Sequence, residues 1–285
     1  MTTTVPTTSR VRLTGMPPVS FQHPMDKQAA EQLKKMRGFD FLVTKFIEFG
    51  IEKIAYVRNV GSSIRVGERQ MPSIYKMLLE CCDILDVAEP ELYVQEGRAN
   101  AYTSGHTRPH IVLQSDLLDL LDDDELMFVI AHELGHIKCG HVLYKMMAQC
   151  LTPLLNLLPV GGPLIGHGVR AAFYAWDRSS EFSADRAGLL TMQEAKPCMS
   201  GLMKIAGGSE RWMKEISLDE FLVQAKNHHE SLDQSLIDKF YHFFVNSTNT
   251  HPFMIDRARS LDEWIAGTEY NAIIDYAKLQ NGSAA

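Results

Sequence analysis

The chain reads as an α+β fold that is mainly helical, with a small sheet. Three observations carry this reading. Apolar residues recur at helical spacing, as in Ile74, Met77, Leu78, Cys81 and Leu85. Strand-like runs are few and short. Residues 131–136, Ala-His-Glu-Leu-Gly-His, end an apolar stretch that follows the acidic run Asp122-Asp123-Asp124-Glu125. Such a run caps a helix and places negative charge at the positive end of its dipole.

Residues 1–20 are rich in Thr, Pro and Ser and lack acids, with no apolar core of the length a secretory signal needs. They are expected to form a disordered tail; Arg10 and Arg12 are only a faint mark of a transit peptide. Asp26–Met36 and Phe39–Phe49 have helical patterning, broken at Gly38. Ile54–Val60 reads as a strand, Pro72–Asp86 as a helix and Glu91–Gln95 as a short strand. Arg108-Pro109-His110-Ile111-Val112-Leu113-Gln114 reads as another strand, preceded by Asn100–Thr103 and Gly105.

Residues 146–169 carry no formal charge, but Pro153, Pro159, Gly161-Gly162 and Pro163 break the stretch. A spanning helix needs an unbroken apolar run of about 20 residues. The expectation is a helix, a turn and a second helix from about His167, with membrane contact at most peripheral. Helices are expected at Met199–Ile205, Leu218–Lys226, Leu232–Val245 and Asp256–Ile265, with fraying over 280–285.

The motif carries the chemistry. His132 and His136 stand four apart, so a helix places both imidazoles on one face, where they can reach one metal ion. Glu133 sits beside them without being a ligand. This is the H-E-x-x-H arrangement of zinc hydrolases, with the glutamate as general base. Bound zinc brings the pKa of its water to about 7, and a glutamate can take that proton and pass it to a leaving amine. Two His and a Glu on a buried helix with no metal would strand polar groups in the core.

A third ligand is needed. His141 is one residue short of the position required by a third histidine in the longer H-E-x-x-H-x-x-G-x-x-H pattern, and Cys139 stands where that pattern has Gly. His141 reads as a polar residue near the helix end, and Cys139 as a small buried hydrophobe. Glu181 is the better candidate. It lies in Ser180-Glu181-Phe182-Ser183-Ala184-Asp185-Arg186-Ala187, a helical segment that also places Asp185 one turn on. Glu181 would complete a His₂Glu site, and Asp185 could accept a hydrogen bond from the free N–H of a ligating histidine, His132 by preference.

H-E-L-G-H followed some tens of residues later by E-F-S-A-D resembles the M48 peptidase family, the zinc endopeptidases that include HtpX and the prenyl-protein protease. Asn100-Ala101-Tyr102-Thr103 resembles the family's edge strand, and His251-Pro252 with Arg257 resembles its late His-Pro…Arg motif. The resemblance covers roughly residues 70–265. It implies a zincin fold of the gluzincin type, one Zn2+ per chain, and zinc ligands at His132, His136 and Glu181. It further implies substrate contacts at Asn100, Ala101 and Tyr102, with His251 assisting the oxyanion beside the base Glu133. Asp185 and Arg257 would support the ligands from behind. The expected organisation is a tail at 1–20, an N-terminal helical and strand extension at 21–69, a peptidase domain at 70–268 and a C-terminal tail at 269–285. In membrane members of the family a hydrophobic hairpin occupies the position of 146–169, and this broken version implies a soluble member.

Composition agrees with an enzyme. The net charge is −7 with no concentrated basic patch, which argues against nucleic acid as a partner. Five scattered cysteines without C-x-x-C pairs suit free thiols in a reducing, cytoplasmic setting. Expected partners are polypeptides in extended conformation, which an exposed edge strand can bind through backbone hydrogen bonds. Two other readings fit the same motif: a catalytically latent zinc-binding scaffold, and a zinc hydrolase acting on small amides.

Overall fold

Asp122 caps the helix that organises the molecule. In the computed structural model, which describes residues 10–36, 39–48, 50–149, 162–234 and 252–282, its side chain accepts from the Glu125 amide at 3.0 Å. The Glu125 carboxylate accepts in return from the Asp122 amide at 2.9 Å. This reciprocal capping box satisfies two of the amides that a helix start leaves unpaired.

The helices are α1 (Pro24–Lys34), α2 (Phe39–Glu48), α3 (Ile51–Gly61), α4 (Pro72–Leu85), α5 (Ser115–Leu120), α6 (Asp123–Lys138) and α7 (Val142–Gln149). They continue as α8 (Gly162–Met192), α9 (Ala195–Gly207), α10 (Leu218–Gln234), α11 (Met254–Ala266) and α12 (Thr268–Gly282). The strands are β1 (Ile64–Arg65), β2 (Glu91–Gln95), β3 (Ala101–Ser104) and β4 (His110–Gln114). They form one mixed sheet in the order β1-β2-β4-β3, with β2 and β4 parallel and the outer pairs antiparallel. The fold is α+β and mainly helical, as expected.

Every residue of α6 from Glu125 to His136 is buried, because α4, α8, α9 and β3 all pack against it. A helix apolar around most of its circumference belongs inside a domain. The main core joins α4, α5, α6, α8, α9 and α11 to β2 and β4. A second cluster, including Leu33, Phe39, Phe46, Met147, Phe173 and Trp176, seats α1 and α2 against α7 and α8.

α6 and α8 approach each other closely. A Cβ on Gly135 would lie 2.7 Å from the Ala187 Cβ and 3.1 Å from the Ala184 Cα. A Cβ on Gly188 would meet the Phe128 ring at 2.6 Å. The glycine inside His-Glu-Leu-Gly-His therefore serves packing: it lets the two helices carrying the candidate ligands come together.

The structure corrects several expectations. Ile54–Val60 is helical, within α3. Its β-branched residues favour a strand, but the inward contacts follow helical spacing: the Tyr56 hydroxyl donates to Glu91 at 3.0 Å, and buried Asn59 meets the His110 ring at 3.0 Å. Ile54 and Val57 face outward. Tertiary contacts override intrinsic propensity here. Residues 10–20, expected within a disordered tail, lie along the domain. Arg10 pairs with Glu80 at 2.6 Å, the Leu13 amide donates to the Ile84 carbonyl at 2.8 Å, and Leu13 is buried. The helix expected from about His167 begins at Gly162, and Leu232–Gln234 continue α10 instead of starting a new helix. The remainder of the expected 232–245 helix, and the turn at 150–161, lie outside the described residues. The stretch 269–285, expected as a tail, is helical in α12 as far as Gly282. No helix among the described residues is long and apolar enough to cross a membrane.

Gly135→Ala tests the close contact. The added methyl improves helix propensity by about 1 kcal/mol, and overpacking against Ala187 costs about 1–3 kcal/mol. The variant should melt below the parent in thermal unfolding. A midpoint raised above the parent's, by the propensity gain alone, would show that α6 and α8 can separate without cost.

Candidate metal centre and active site

The α6–α8 contact brings His132, His136 and Glu181 together. All three are buried, and one ligand atom from each lies within 4.8 Å of the others. His132 Nε2 stands 3.4 Å from Glu181 Oε2, and His136 Nε2 stands 3.3 Å from Glu181 Oε1. Two ligands held about 2.0–2.1 Å from a tetrahedral zinc ion lie roughly 3.3 Å apart. The donors thus have coordination spacing, and two imidazole nitrogens with one carboxylate form a set that zinc accepts. These residues fit the metal.

Both imidazoles turn Nε2 inward because Nδ1 is engaged elsewhere. His132 Nδ1 donates to Asp185 Oδ1 at 2.9 Å. Asp185 is gripped by Arg257, whose Nε donates to Oδ2 at 2.8 Å and whose Nη2 donates to Oδ1 at 2.5 Å. Arg257 Nη1 also lies 3.5 Å from Glu181. His136 Nδ1 lies 3.0 Å from His141 Nδ1, and His141 Nε2 lies 3.0 Å from Asp26 Oδ2. His141 therefore uses both ring nitrogens away from the centre. It is a polar residue just past the end of α6, as expected, and it is buried there, where Gly140 at φ 70° turns the chain.

The electrostatics follow from burial and pairing. For Glu181 burial is the largest single influence and opposes ionisation, but Lys145 and the two histidines outweigh it and hold the carboxyl well below its ordinary value. Lys145 Nζ lies 2.6 Å from Glu181 Oε1 and 3.1 Å from Asp177. Burial opposes charge on Asp185 as well, and Arg257 reverses the balance. His132 resists the desolvation that would lower it; its bonds to Asp185 and Glu181 lift it to about 9. His136 is pushed well below the usual histidine range by burial, and then by Lys145.

Glu133 faces a cavity of about 340 Å³ that also contains the two histidines, Glu181, Asn100 and Tyr102 in its lining. Thr103 Oγ1 donates to Glu133 Oε2 at 2.6 Å. That residue lies on the edge strand β3, directly after the three expected substrate positions, and it pins the carboxylate to the sheet. Asn100, Ala101 and Tyr102 all line the same cavity. The Asn100 carbonyl accepts from the Gln114 amide at 2.9 Å, and the Tyr102 hydroxyl reaches Asn59 and Gln95 at 3.2 Å each. His251 lies outside the described residues. Thr103, Lys145 and Asp26 were not singled out by sequence reasoning, since a lone Thr, Lys or Asp carries no spacing signal. Of the three, Thr103 had the nearest one, alternating with Ala101 along the strand.

The comparisons with known proteins agree with this geometry. The model of peptidase family M48 matches residues 68–265. The chain belongs to that family. This M48 protein is 34% identical over 265 residues to the plastoglobule-localized metallopeptidase 48, chloroplastic, of Arabidopsis thaliana, covering 92% of this chain and 76% of the plant protein. It is 31% identical over 124 residues to a protease HtpX homolog of Nostoc punctiforme, 42% of each chain. A third relative, a protease HtpX homolog of Helicobacter pylori, is 27% identical over 217 residues, 66% of this chain and 65% of that protein. The match spans less than two thirds of either HtpX homolog. The M48 protein is a metallopeptidase, a metal-dependent hydrolase acting on polypeptides.

Arg257 is the counter-charge to two buried carboxylates. Its replacement by Leu should destabilise the protein by about 3–5 kcal/mol, the usual consequence of leaving buried charge unpaired. Urea unfolding measures this. A loss below about 1 kcal/mol would mean that Asp185 and Glu181 find other partners.

Proposed function

We propose that this M48 peptidase is a zinc endopeptidase of the gluzincin type, with one Zn2+ held by His132, His136 and Glu181. The observation that carries the reading is the spacing of the three donors, with both Nε2 atoms turned towards one carboxylate. When bound, zinc supplies a Lewis acid that polarises the scissile carbonyl and makes water acidic enough to be deprotonated near neutral pH.

The chain's own residues would do the rest. Thr103 occupies Glu133 Oε2, so Oε1 is the oxygen free to take a proton from the attacking water and return it to the leaving amine. Asp185, steadied by Arg257, accepts a hydrogen bond from the Nδ1 proton of His132, so Nε2 is the atom that would hold the metal. β3 stands at the end of the sheet and lines the cavity. An extended peptide can add to its free edge through backbone hydrogen bonds, with Asn100, Ala101 and Tyr102 beneath it. That mode favours unfolded or extended polypeptides and makes little demand on side-chain identity.

Glu133→Gln should keep one zinc per chain by metal analysis and lose about 10²–10⁴-fold in cleavage of an unfolded protein. Cleavage at the parent rate would remove Glu133 from the mechanism. Thr103→Val should lower kcat by about 10-fold with little change in KM, the signature of a misaligned base and not of weaker binding. A change confined to KM would assign Thr103 to substrate contact instead.

A further inference from the structure

We propose that Asp26, acting through His141, is a positioning residue for the metal centre: an Asp26–His141–His136 relay fixes the tautomer and orientation of the second histidine. The proposal rests on the reading of His136 as a metal ligand. Asp26 belongs to α1 and lies outside residues 68–265, where the family model matches.

With a neutral His141 ring, the hydrogen-bond logic has one solution. Asp26 is fully buried, and its Oδ2 receives Ser183 Oγ at 2.7 Å, Gln22 Nε2 at 2.7 Å and His141 Nε2 at 3.0 Å. With Ser183 and Gln22 donating to it, Oδ2 acts as an acceptor. His141 must therefore carry its proton on Nε2, and in the neutral ring Nδ1 is left bare. That bare nitrogen faces His136 Nδ1 at 3.0 Å, so His136 donates from Nδ1. The lone pair of His136 is thereby confined to Nε2, the atom 3.3 Å from Glu181. Partners of this kind hold a ligating imidazole in place and raise its basicity.

The fold builds both ends of the relay. At the end of α6, Cys139 is the C-cap; the Gly140 amide donates to the Ile137 carbonyl at 3.0 Å and the His141 amide to the His136 carbonyl at 2.9 Å. This paired closure requires a left-handed residue, supplied by Gly140, and it ties His141 to His136 through the backbone. The Trp176 ring packs edge-on against His141, with centroids 5.6 Å apart. Asp26 is in the first turn of α1, where the helix dipole favours its negative charge.

The test uses the full chain and zinc alone. Zinc affinity is measured by chelator competition for the parent, Asp26→Asn, His141→Leu and the double variant, with the unfolding midpoint of each metal-stripped protein as a control for structure. Each single change should raise the zinc Kd by about 10- to 100-fold. The double variant should fall within about twofold of the weaker single variant, because one residue acts through the other. Unchanged Kd values with lowered midpoints would overturn the relay and make the pair structural; multiplying effects would detach Asp26 from His136. Nitrogen NMR of histidine-labelled, zinc-loaded parent provides a readout that needs no variant. It should show His141 protonated at Nε2 and bare at Nδ1, and the opposite tautomer would overturn the proposal. If instead the parent fails to bind one zinc, or His136→Ala binds it equally well, the reading of the centre itself fails.

Discussion

Everything at the centre depends on how closely α6 approaches α8. Two helices of ordinary surface pack with axes about 8–10 Å apart, and short side chains at the contact bring them to the near end of that range. Gly135 and Gly188 face Ala187 and Phe128 across the seam. The imidazoles of one helix then reach the carboxylates of the other without strain in either backbone. The arrangement is also unforgiving. The residues that set the separation lie among those of the candidate site, so packing and site geometry cannot be varied independently there.

Closeness concentrates charge. Glu181 and Asp185 are both buried, and so are Lys145 and Arg257, which face them. Neither carboxylate could remain ionised alone at that depth. The cations come from α7 and α11, elements that contribute no candidate ligand. Lys145 and Arg257 thus help to keep the site anionic enough to receive a cation while preventing the carboxylates from repelling one another apart.

The parts of this arrangement that were legible in the sequence are those with a periodic signature. His132, Glu133 and His136 share a helical face, and Glu181 with Asp185 repeats the same interval; all of them converge in the structure. The acidic run at Asp122 foretold a capped helix, and its capping box is present. Residues whose role depends on a distant partner left no such trace. Asp26 looks like any acid near a helix start, and its importance lies in His141, which belongs to a different element. Thr103 is one hydroxyl in a polar strand. His141 failed the spacing for a ligand, correctly, but spacing says nothing about a residue that acts from behind. Ile54–Val60 misled because β-branched composition is a local preference, whereas Tyr56 and Asn59 answer to Glu91 and His110. The segment 10–20 misled because low apolar content hid the buried anchors Leu13 and Met16.

The order in which the chain is made adds a further consequence. A ribosome that has released residues up to Leu190 has already delivered His132, Glu133, His136 and Glu181, the candidate ligands and base. Arg257, the counter-charge for Asp185, is still unmade, and the helix that carries it must close over the centre afterwards. A nascent chain therefore holds its reactive groups before it holds the scaffold that aligns them. A peptidase is thus assembled last where premature assembly would do most harm, beside other unfinished chains.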